Sequence, residues 1–89
     1  MNAIEKQIAQ VVAKLVHESV VGGDEPEEFV QKIVGAGYPD IVVKSIAQKS
    51  DQEILQGIAT VEPRSAGTTP AGARFVRDSM ALLRQAVGS

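Results

Sequence analysis

Apolar residues in this chain return at intervals of three and four from Ile4 to Val87, and no stretch alternates long enough to make a strand. That spacing confines the sequence to helices, and capping residues, glycines and prolines cut it into five. Helix one is expected over Asn2–Val21, with the stripe Ile4, Ile8, Val11, Leu15 widened by Val12, Val16 and Val20 and stopped by Gly22 and Gly23. Asp24 reads as the cap of helix two, with Glu27 completing a capping box and Pro26 in the first turn. Phe29, Val30, Ile33 and Val34 form its inner face, and Gly35 and Gly37 end it. Helix three is expected from about Pro39 to Lys49, bearing Val42, Val43, Ile46 and Ala47. Ser50 and Glu53 open helix four as a second capping box ahead of Ile54, Leu55, Ile58 and Ala59. Gly57 inside it costs about 1 kcal/mol against Ala, which suggests close packing on another backbone.

Val61 to Thr68 reads as a loop containing Pro63, Ser65 and Gly67. Thr69 then caps helix five, with Pro70 at its first position. Its stripe Ala73, Val76, Met80, Leu83, Val87 is the most regular in the chain, and Gly88 closes it. The three short helices share one pattern: Phe29-Val30-x-x-Ile33-Val34, Val42-Val43-x-x-Ile46-Ala47 and Ile54-Leu55-x-x-Ile58-Ala59. Their offsets are too short for a solenoid array, so each is read as one helix burying one face.

These elements add up to an all-α fold: a compact bundle of about five helices, long N- and C-terminal ones flanking three short ones, in a single domain over 1–89. Phe29, Tyr38 and Phe75 are the only aromatics, so Val, Ile, Leu and Ala must build the core. A chain of this length buries only about 60–65% of its unfolded surface, so a partner or a second copy would help it. The order of short helices followed by a long C-terminal one resembles sterile alpha motif domains. The aromatic landmarks of that family are missing, however, and the spacing around Gly72-Ala73-Arg74 departs from its pattern, so no site or function is carried over.

Charge is unevenly laid out. Met1–Thr60 holds five Lys against nine acids, a balance of −4, whereas Val61–Ser89 holds four Arg against Glu62 and Asp78, a balance of +2. Such asymmetry speaks to partners rather than to fold. The apolar stretch Ile4–Val21 is broken by Glu5, Lys6, Gln7, Gln10, Lys14, His17 and Glu18, so it reads neither as a membrane helix nor as a signal peptide. With no cysteine either, the default location is the cytoplasm.

No catalytic or metal-binding set can be assembled from the spacing. His17 stands alone, and a zinc site or an activated nucleophile needs several partners, so no enzyme, cofactor or metal is expected. Gly35-Ala36-Gly37 follows no strand and reads as helix punctuation rather than a phosphate loop. The acidic run Asp24–Glu28 reads as charge complementing a helix start. The candidate binding residues lie in the last third. Arg64, Thr68, Thr69 and Arg74 surround the start of helix five, where free N–H groups attract anions. Arg74, Arg77 and Arg84 form a basic face that could meet nucleic acid or a protein partner. A helix-turn-helix reading of helices two and three, with Gly37 in the turn, places Val43 and Ile46 well but puts Lys32 at a core position.

The expected function is therefore a non-catalytic protein–protein interaction module, a small adaptor or inhibitor of the kind carried by mobile elements, which also associates with itself. The alternative is a small DNA-binding transcriptional regulator using helix 39–49 or the Arg face of helix 70–87. A sensor of small anions at Thr69 ranks third.

Overall fold

The computed structural model describes residues 2–88. Five helices follow in order: α1 (Ala3–Gly22), α2 (Pro26–Gly35), α3 (Asp40–Gln48), α4 (Asp51–Val61) and α5 (Pro70–Gly88). A 3₁₀ turn, Ala66–Thr68, lies between α4 and α5, and no strand occurs among the described residues. The all-α bundle with long outer and short middle helices is thus the observed architecture.

The starts of α1, α2 and α4 each have a local cause. Asn2 caps α1 by accepting the Glu5 N–H at 2.8 Å on its side-chain oxygen. At α4 the Ser50 hydroxyl accepts the Glu53 N–H at 3.1 Å, and the Ser50 N–H donates to the Glu53 carboxylate at 3.1 Å. The cap of α2 sits one residue later than the sequence reading placed it. Glu25, not Asp24, is the N-cap, and its N–H donates to Glu28 at 3.3 Å. Proline explains the shift: Pro26 occupies the first helical position, and the residue before a proline is driven into the extended conformation that a cap requires. Asp24, freed from capping, forms an ion pair with Lys32 along α2. Turns fall where the glycines allow left-handed backbone, at Gly23 (φ 73°) after α1 and Gly37 (φ 82°) before α3.

One apolar cluster draws on all five helices. The shared pattern of the short helices puts Ile33, Ile46 and Ile58 at equivalent positions, and each is 1% exposed. Phe29 of α2 meets Phe75 of α5 edge-to-face, with ring centroids 5.4 Å apart. The buried line of α1 is Val12, Ala13, Val16 and Ser19, so the residues expected to widen the stripe are its centre, and Ile4 lies outside at 69% exposed. Ser19 and Ser79 are fully buried with neither hydroxyl bonded among the described residues, so packing uses their small size rather than their polarity.

Small residues decide how closely the helices approach. Gly57 of α4 faces Ala9 of α1, where an added Cβ would stand 3.4 Å from the alanine methyl. The segment after α4, expected as a plain loop, is a packed wedge. Ser65 and Gly67 are buried, and a Cβ on Gly67 would approach Val16 of α1 to 3.1 Å and Ile58 of α4 to 3.2 Å. This wedge holds the start of α5 against α1 and α4.

Candidate interaction surfaces

The wedge organises the first group of candidate residues. His17 projects from α1, and its Nδ1 accepts the Ala66 N–H at 2.8 Å. The lone histidine therefore fastens α1 to the 3₁₀ turn. Inside the turn the Ser65 hydroxyl accepts the Gly67 N–H at 3.0 Å, and Thr68 Oγ1 donates to the Ser65 carbonyl at 2.8 Å. Thr69 Oγ1 accepts the Gly72 N–H at 3.0 Å and donates to the Ala66 carbonyl at 2.6 Å. Thr69 is thus the cap of α5, as its place before Pro70 suggested. Both threonine hydroxyls and the Gly72 N–H, donors that an anion at this helix start would recruit, are already committed within the chain.

The arginines separate in space. Arg64 lines a cleft of about 440 Å³ with Lys14, His17, Glu18 and Glu62, in which two acids offset the basic groups. Arg74 and Arg77 are exposed on α5, and neither has a hydrogen bond or ion pair among the described residues. Arg84 turns inward. Its Nε donates to the Ala47 carbonyl at 3.3 Å, and one Nη donates to the Lys49 carbonyl at 2.8 Å and to Asp51 at 2.9 Å. The side chain so joins the end of α3 to the beginning of α4, satisfying carbonyls that a helix terminus leaves open. The basic face of α5 is left to Arg74 and Arg77. Sequence alone could not separate the three, because Arg84 finds its partners more than thirty positions upstream.

The exposed large apolar side chains among the described residues are Ile4, Val21, Val34 and Ile41, at 69%, 69%, 54% and 74% exposed. Val34, expected on the inner face of α2, lies outside it, because the buried line of that helix is Phe29, Val30 and Ile33; Ile41 stands on α3 just past the Gly37 turn. Between α2, α3 and the end of α5 runs a groove of about 220 Å³ walled by Val34, Tyr38, Val43 and Val87, with Asp40 and Lys44 alongside. The outer face of α3 thus presents a projecting isoleucine, a neighbouring apolar groove, one acid and one base. An acid and a base of equal number do not make a phosphate-binding face.

Two charged groups are tuned by local partners. The hydrogen bond to Asp24 holds the Lys32 ammonium above its ordinary value, and the Ser50 backbone N–H, with the Ser50 hydroxyl second, holds the Glu53 carboxyl below its own. The second belongs to the capping box of α4 and the first to an ion pair along α2. No group of three or more His, Asp or Glu side chains among the described residues is placed to hold a metal ion. Among the described residues, no helix is long and apolar enough to cross a membrane. No protein-family model, curated protein or solved structure matches the chain.

Proposed function

We propose that this chain is a small, non-catalytic helical interaction module that binds protein surfaces, a second copy of itself included, and works in the cytoplasm as an adaptor or inhibitor. One observation carries the reading: Ile41, at 74% exposed, projects from α3 beside the Val34–Tyr38–Val87 groove. Fully burying a side chain of this kind is worth about 1.5–3 kcal/mol, and that free energy is released only when another surface covers it. Knob, groove and flanking charges lie within one patch, the usual anatomy of an apolar contact with a polar rim. A cysteine-free composition suits a reducing compartment.

A DNA-binding role has less behind it. A glycine turn at Gly37 joins α2 to α3, but the outer face of α3 carries Asp40 as well as Lys44, and the donors of Arg84 are committed to Ala47, Lys49 and Asp51. That leaves few cations to neutralise phosphates on a chain of net charge −2. A tagged pull-down with and without nuclease tests the choice. A stoichiometric protein, this chain or another, that survives nuclease supports the interaction module. Material lost on nuclease treatment contradicts it in favour of nucleic acid.

A further inference from the structure

The outer face of α3 carries an exposed isoleucine beside a groove, with one acid and one base between them. Ile41 lies opposite Val43, Ile46 and Ala47, the residues that α3 buries, and so stands on the crest of the helix. Asp40 and Lys44 are one turn apart on the shoulder between that crest and the groove of Val34, Tyr38, Val43 and Val87. Neither charge has an ion-pair partner among the described residues, although their spacing would allow them to pair with each other. A knob, a hole and one charge of each sign on a single short helix are what an antiparallel contact between identical surfaces needs. In such a contact residue i meets j, and j meets i.

We infer that two copies of this chain pair across a two-fold axis through α3, Ile41 of each entering the groove of the other and Asp40 of each facing Lys44 of the other. This rests on the interaction-module reading and supplies its surface. The isoleucines provide the attraction, and the two charge pairs fix direction and register. A parallel arrangement would set Asp40 against Asp40 and Lys44 against Lys44, so the charges select the antiparallel one.

Charge exchange tests the pairing. Asp40→Lys leaves two lysines on the patch and Lys44→Asp leaves two aspartates, so each variant alone should weigh one chain by light scattering where the wild type weighs two. Mixing the two variants should restore a species of two chains, one of each kind, because every contact across the axis then joins opposite charges. Ile41→Glu should be a single chain with the helix content of the wild type by circular dichroism. Dimers that persist in all three variants would overturn this surface while leaving self-association intact. Failure of the mixed variants to pair would overturn the two-fold register. A wild type of one-chain mass at every concentration would overturn the pairing altogether, and the broader reading would then stand or fall on the pull-down.

Discussion

Gly72 of α5 lies directly on Gly67 of the 3₁₀ turn: a Cβ added to Gly72 would sit 2.6 Å from the Gly67 Cα and 2.1 Å from the Ala66 carbonyl oxygen. No side-chain rotation relieves a contact between two backbones. Gly72→Ala should therefore destabilise the fold by about 3 kcal/mol or more, although glycine-to-alanine in a helix ordinarily stabilises by up to about 1 kcal/mol. Gly35→Ala is the control. An added Cβ there meets nothing within 4 Å, so the change should be neutral or stabilising by about 0.4–1 kcal/mol. Chemical denaturation of both variants checks the pair, and equal effects would remove the backbone crossing from the account.

The His17–Ala66 hydrogen bond links positions 49 apart and ties the wedge to α1. His17→Phe keeps a ring but deletes the acceptor, handing the Ala66 N–H to water. The cost should be about 0.5–1.5 kcal/mol, with faster amide exchange at Ala66. An unchanged exchange rate at Ala66 would mean the bond does not hold the turn.

Arg84 joins two helix ends, and its loss should be felt at both. Arg84→Ala should cost about 1–2 kcal/mol, since the Asp51 ion pair is partly exposed and the carbonyl bonds are charge-assisted. Arg84→Lys should recover only part of it, because an ammonium cannot present Nε and Nη to separate carbonyls. Thermal melts of the two variants decide this, and a lysine variant of full stability would reduce Arg84 to a simple counter-charge.

The Ser50–Glu53 capping box gives a pH dependence of known sign. Glu53 titrates below its ordinary value of 4.5 in the folded chain, mainly because the Ser50 N–H holds its charged form. Its contribution is thus present above that value and is lost as pH falls through the lower folded value. Acidification should lower the melting temperature of the wild type more steeply than that of Glu53→Gln, whose amide can keep the hydrogen bond without titrating. Parallel curves would mean the carboxylate contributes nothing at the start of α4.

Local physics made the helices legible. Ser50 with Glu53, Thr69 before Pro70, and the glycines after α1 and α2 each act within a few residues, so sequence reading placed those ends closely. The cap of α2 was legible too, because Pro26 at the first helical position obliges Glu25 to be extended; the acid pattern at Asp24 and Glu27 competed with that rule and is outranked by it. What sequence could not carry is long-range approach. Gly67 and Gly72 look like loop and helix-start glycines until the chain crosses itself there. Arg84 looks like its neighbours Arg74 and Arg77 until α3 and α4 arrive beside it. The α3 surface was hidden for the same reason: its groove needs Val34 and Val87, more than fifty positions apart, brought to the same edge.

Pairing through α3 gives the proposed module its surface, and amide chemical shifts followed on serial dilution test it most directly. Shifts should move at Ile41 and Lys44 of α3, at Val34 and Tyr38 beside it and at Val87 of α5, while Arg64, Arg74 and Arg77 stay fixed. Movement confined to the arginine-bearing segments, or none at any concentration, would contradict pairing through α3.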